Sequence, residues 1–88
     1  MSKKKIIAIQ ADQLNSINIK TDTTFLLALE AQKRFYKIYW YQTKDLNFIK
    51  NKVYAKAKEV NFFENKKKYY KILNKVTLDL SIVKFILI

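Results

Sequence analysis

Asp12, Asn18, Lys20, Asp22 and Thr23 are the residues whose types and spacing could do chemistry, with Thr24 beside them. They fall on one polar stretch between an apolar run and an apolar helix. Two carboxylates, one ammonium and several neutral hydrogen-bonding groups suit recognition of a polar ligand. Ile17 and Ile19 flank Asn18, so in extended backbone both isoleucines point one way and Asn18 the other. The isoleucines would pin the loop while Asn18 faces a ligand. A plainer reading stands beside this one: Asn18 and Asp22 satisfy loop backbone and cap the helix. Asp12 and Asp22 could in principle hold Mg²⁺, although two acids on a loop are weak grounds.

Composition removes most other chemistry. The chain has no histidine, cysteine, glycine or proline. Thiolate and imidazole metal sites, Cys/His dyads and a Ser-His-Asp triad are excluded. Phosphate-cradling glycine loops are excluded too. No disulfide can form, which suits the cytoplasm. The apolar run after "MSKKK" stops at Ile9, too short for a signal peptide. No apolar stretch reaches the roughly 18 residues of a membrane helix, so no membrane is expected as a partner.

The elements that must position the loop follow from hydrophobic patterning. "IIAIQ" (Ile6 to Gln10) reads as a strand buried on both faces. The loop from Ala11 to Thr21 far exceeds the roughly 2–6 residues usual between strand and helix, so it has a task. It lies past the carboxyl end of a central strand, where open α/β sheets bind ligands. Thr21 or Asp22 is a plausible N-cap. A helix is expected from about Thr23 to Phe35, with its free N–H groups favouring a carboxylate or phosphate at the start. Its first two turns are apolar nearly all round and should pack on a sheet. Glu30 and Arg34 have favourable i, i+4 spacing.

"KIYWYQ" (Lys37 to Gln42) is a second strand, which makes a strand–helix–strand unit on a parallel sheet. Leu46 to Phe63 reads as a hairpin turning at Asn51. Lys52, Tyr54, Lys56 and Lys58 should share one face of it, and Val53, Ala55 and Ala57 the other. "ENKKKYYKILNKV" fits a helix or a strand. Leu78 to Ser81 is a connector, and "IVKFILI" is a last buried strand in which the sequence stops. Complete domains end at the surface, so the sequence reads as the front part of something larger.

The net charge of +11 invites a nucleic-acid reading. Yet of the 18 basic residues only Arg34 is arginine, whereas base and phosphate recognition enriches arginine. Drift in an A+T-rich genome accounts for the lysines, and nucleic acid is not the partner expected. The run Lys66 to Lys68 reads as solvated surface.

Through "INIKTDTTFLLALEAQKR" the sequence resembles the N-terminal domain of prokaryotic glutathione synthetase. That family carries a strand, a Met-Asp-centred loop, Ile-Asn-Ile, a basic residue, Asp-Ser/Thr-Thr/Ser-Phe, and a helix with Leu-Glu-Ala-Gln. Asp12, Ile17, Asn18, Ile19, Lys20, Asp22, Thr23, Thr24, Phe25, Leu29, Glu30, Ala31 and Gln32 match, and the likeness continues along the whole chain, residues 1–88. Ala11 replaces the family's Met, Phe35 replaces a Gly after the helix, and the hairpin turn has Asn51 and Lys52 where the family has a Gly.

The resemblance implies a pre-ATP-grasp α/β domain: an open, mostly parallel Rossmann-like sheet with one main helix and an added β-hairpin, incomplete here. It favours a strand for "YYKIL". The full enzyme joins γ-glutamylcysteine to glycine with ATP and Mg²⁺ through an acyl phosphate. By this resemblance the loop forms or braces the wall where the peptide substrate sits. The Arg-x-Asp-Pro-Pro segment and ATP-grasp domain that follow the last strand in the family would be the partner portion. They carry the ATP, Mg²⁺ and most substrate contacts, so no catalytic residue, metal ligand or cofactor is assigned to this chain. It is expected to be a truncated domain, from a split enzyme or a broken gene, inactive as a ligase by itself. It is also expected to be marginally stable, with apolar surface around Phe85 to Ile88. The alternatives are a small basic nucleic-acid-binding module and a protein-interaction module that pairs through an exposed strand.

Overall fold

The computed structural model describes residues 5–18, 20, 22–65, 67–83 and 85–87. In chain order they form β1 (Ile6–Gln10), α1 (Thr23–Lys33), β2 (Lys37–Tyr41), β3 (Leu46–Ile49), β4 (Lys52–Phe62), β5 (Tyr70–Asp79) and β6 (Phe85–Leu87). Short 3₁₀ turns occupy Leu14–Ser16, Thr43–Asp45 and Leu80–Ile82. In the segment "YYKIL" Tyr70 to Leu73 are strand, as the resemblance implies. None of the described helices is long and apolar enough to cross a membrane. Ile19, Thr21, Lys66 and the side chains of residues 85–88 lie outside the described residues, and with them the alternative N-cap and the apolar end.

The six strands make one mixed sheet. β1 pairs parallel with β2 on one side and with β6 on the other. β4 is the long bridging strand. One edge pairs antiparallel with β5 along most of its length, from Tyr54↔Asp79 to Phe62↔Tyr70. Its other edge takes β3 at the start (Leu46↔Ala55 to Ile49↔Lys52) and β2 at the end (Ile38↔Val60 to Trp40↔Lys58). The expected mostly parallel, Rossmann-like sheet is therefore corrected to a mixed one. Only β2, β1 and β6 run parallel, and the hairpin is built into the sheet rather than added at its margin. The physical reason is the turn after β3. β3 continues in the direction of β2 along the same edge of β4, and the chain then reverses through two residues, Lys50 and Asn51, which permits only antiparallel pairing.

Strand alternation separates two cores. Ile7, Ile9, Ile38, Trp40, Val60 and Phe62 face α1 and meet its Phe25, Ala28, Leu29 and Ala31. Ala8, Tyr39, Tyr41, Ala55, Ala57 and Leu78 form the second cluster, against which Leu80 and Val83 pack. The hairpin face assigned to Val53, Ala55 and Ala57 is the inward one, with both alanines buried. Phe25 stands edge-on to Phe62 at 5.6 Å and to Tyr69 at 6.1 Å between ring centroids. Full burial of such a ring contributes about 2–3 kcal/mol. The expectation that the whole start of α1 packs away is half met. Leu26 and Leu27 stay about half exposed, because one helix on one sheet buries a stripe and not its circumference.

Glycine-free turns are made by residues with a Cβ. Phe35 leaves the helix at φ 66°, and the β3–β4 turn uses Lys50 at φ 48° and Asn51 at φ 66°. Asn51 was the expected turn residue. Lys50 beside it completes a two-residue turn that needs positive φ at both positions.

Candidate functional site

The loop after β1 is held by backbone acceptors. Trp40 Nε1–H of β2 donates to the Asp12 carbonyl at 2.8 Å. The Tyr69 hydroxyl donates to the Leu14 carbonyl at 2.8 Å, and burial, with the Tyr70 phenol adding to it, pushes the Tyr69 hydroxyl pKa up. Leu14 is buried, and Ile17 packs against the helix-side core. Thus one isoleucine of the Ile-Asn-Ile motif pins the loop while Asn18 stays exposed.

Past β1 and β2 the two carboxyl ends stay joined. Ala11 N–H donates to the Tyr41 carbonyl at 3.0 Å, and Gln10 Nε2 to Thr43 Oγ1 at 3.2 Å. The Gln42 N–H donates to Asp45 Oδ2 at 2.9 Å, which closes the 3₁₀ turn. Between this end and the loop lies an open cleft of about 590 Å³, with Asp12, Gln13, Ser16, Asp22, Thr24 and Lys44 among its lining. Gln10, Trp40, Gln42 and Thr43 complete much of the rest.

Of the residues singled out in sequence, the structure brings Asp12 and Asp22 to the cleft. Asp22 is the N-cap of α1: its Oδ1 accepts from Thr24 N–H at 2.9 Å and Phe25 N–H at 3.3 Å. The helix N-terminus is therefore closed by the chain's own carboxylate. Asn18 Oδ1 accepts from Lys20 N–H at 3.1 Å, and its carbonyl accepts from Asp22 N–H at 2.8 Å. Asn18, Lys20 and Thr23 are exposed and outside the cleft lining. Sequence reasoning missed Gln10, Gln42, Thr43 and Lys44. The available signal was their place just past the apolar core of each parallel strand.

The cleft offers amides, hydroxyls, the Asp12 carboxylate and the Lys44 ammonium. That set orients a polar ligand bearing both charges. It holds no nucleophile activated by a base. Among the described residues no three His, Cys, Asp or Glu side chains gather as a metal's ligands would, and Asp22 is engaged by the helix.

Residues 6–88 match the family described as prokaryotic glutathione synthetase, N-terminal domain. The glutathione synthetase of Buchnera aphidicola subsp. Schizaphis graminum is 39% identical over 83 residues, which is 92% of this chain and 26% of that protein. That of Buchnera aphidicola subsp. Baizongia pistaciae is 40% identical over 75 residues, 85% of this chain and 23% of that protein. That of Mesorhizobium japonicum is 36% identical over 75 residues, 85% of this chain and 24% of that protein. The chain thus spans about a quarter of the length of the curated relatives it matches.

Proposed function

Since the chain belongs to the family of prokaryotic glutathione synthetase N-terminal domains, we propose that it is the substrate-side domain of that ligase. In this reading it is a pre-ATP-grasp domain, and an ATP-grasp portion is its partner. The joint activity is ATP-dependent ligation of γ-glutamylcysteine to glycine. Bound ATP supplies the phosphate that activates the peptide's carboxyl. The residues of this chain bind and orient the peptide. The chain alone makes no glutathione.

One observation carries the reading: the Asp12 carboxylate and the Lys44 ammonium line the same cleft, among neutral amides and hydroxyls, where β1 and β2 end. γ-Glutamylcysteine carries an α-ammonium and carboxylates, so its opposite charges meet opposite charges there. Asn18, Lys20 and Thr23 serve the cleft indirectly, as the loop and helix start that shape its rim.

A chimera tests this. The chain replaces the N-terminal domain of a full-length glutathione synthetase relative, and ligation is followed with γ-glutamylcysteine varied. The expected result is an active chimera in which Asp12→Asn and Lys44→Gln each raise the peptide KM about tenfold or more. kcat should change little, as for loss of uniform binding. An active chimera with KM unchanged in both variants refutes the assignment of the cleft.

A further inference from the structure

A second groove, of about 370 Å³, lies between the Thr43–Asp45 turn and the β4–β5 ribbon. Lys44, Lys56, Lys58 and Lys75 line it, with Thr77 beside them. The register explains the convergence. Lys56 and Lys58 are two apart on β4 and so share a face. Lys58 stands directly opposite Lys75 on β5, and Lys56 opposite Thr77. Like charges directly opposed across an antiparallel pair oppose folding. The carboxylate lining the groove, Asp45, is already engaged by the Gln42 N–H. Among the described residues the ion pairs are Lys33–Glu64 and Glu30–Arg34, so none of the four lysines is paired.

Patches of one sign of charge concentrate oppositely charged ligands. The geometry points to a binding site for a compact multivalent anion bearing phosphate groups, seated across Lys58 and Lys75. Lys44 borders both this groove and the peptide cleft, but the proposal does not rest on the ligase reading. The groove volume suits a small molecule. The exposed ammoniums recognise charge rather than a base or sugar.

Tripolyphosphate is the probe, titrated into the full chain by calorimetry at low ionic strength, with a thermal melt in parallel. The expected result is saturable one-to-one binding that raises the melting temperature and weakens steeply with salt. Lys58→Gln/Lys75→Gln should weaken binding at least tenfold and, without ligand, melt no lower than the parent. Lys67→Gln/Lys71→Gln removes the same charge from exposed positions outside the groove and should weaken binding less than threefold. Equal losses in the two variants overturn the site, because total charge would then explain the binding. So does the absence of saturable binding. Tight binding of a single-stranded oligonucleotide without any of tripolyphosphate also overturns it, in favour of an extended nucleic-acid surface.

Discussion

Gln32 is a helix residue whose loss should damage this fold. Its side-chain amide acts as one more rung of the sheet. Nε2 donates to the Phe62 carbonyl at 2.9 Å, and the Phe62 N–H donates to Oε1 at 2.8 Å. These two bonds tie the last turn of α1 to the end of β4, and the Phe62 side chain beyond them is buried at 2% exposure. Gln32→Ala leaves a partly buried N–H and C=O without these partners. Two hydrogen bonds at about 1 kcal/mol each, with part of the desolvation cost of the groups left behind, give roughly 2–4 kcal/mol. For a domain of this size that is a fall of roughly 10–25 °C in melting temperature. Against a total stability of about 5–15 kcal/mol, the variant would stand near the limit of folding. Gln32→Glu is the sharper probe. Its ionised carboxylate still accepts from Phe62 N–H but faces the Phe62 carbonyl with no hydrogen to donate. Folding then favours the protonated acid, so its folded pKa is raised above the unfolded one. The added stability is fully present below the unfolded pKa and is lost as pH rises through the folded pKa. Thermal melts followed by circular dichroism should show Gln32→Glu approaching the parent as pH falls from neutral towards 4. A Gln32→Ala loss below about 1 kcal/mol, or a Gln32→Glu deficit independent of pH, would refute the reasoning.

Three further outcomes are expected. Phe35 is 79% exposed and sits at φ 66°, so Phe35→Gly should relieve left-handed strain and raise stability by about 0.5–1 kcal/mol; denaturant melts check it. Burial holds the Tyr41 and Tyr69 hydroxyl pKa values above their ordinary value. Their contribution should be intact at neutral pH and lost as pH rises past the ordinary tyrosine range, with Tyr69→Phe less alkali-sensitive than the parent in melts at high pH. The Ser81 hydroxyl and N–H, chiefly, hold Asp79 below the usual carboxylate range. Asp79 therefore contributes stability above that range and loses it in acid, and Ser81→Ala should move its NMR titration midpoint upward.

Much of the positioning framework was legible because it is local. The β-branched run of β1, the aromatic run of β2 and the Asp22 cap announce themselves by neighbour identity. Glu30 and Arg34 meet at 3.2 Å, as their spacing demands. What was not legible depends on pairing between distant segments. β4 lies beside β2 because, after the chain turns back at Lys50–Asn51, it outruns β3 and pairs on with β2, and periodicity does not encode that choice. An irregularity in pairing between Glu59 and Val60 allows β5 to follow β4 past the lysines to Tyr70. Gln42 and Lys44 join Asp12 at one cleft only after β1 and β2 pair in register. Gln32 reads as an ordinary helix residue until Phe62 arrives beside it. Phe35 and Lys50 adopt positive φ against their propensities, at a local cost of about 1–2 kcal/mol, because Phe35 N–H and Tyr36 N–H close the helix on the Gln32 and Ala31 carbonyls and the β3–β4 pairing requires the turn at Lys50.

The central claim, that the cleft at the ends of β1 and β2 receives the peptide substrate, is tested most directly by titrating γ-glutamylcysteine into the ¹⁵N-labelled chain. Amide shifts are followed by NMR. Saturable shifts should concentrate at Asp12, Gln13, Ser16, Gln42 and Lys44, and should be lost in the Asp12→Asn/Lys44→Gln chain. Shifts centred elsewhere, or none at tens of millimolar peptide, would contradict that claim.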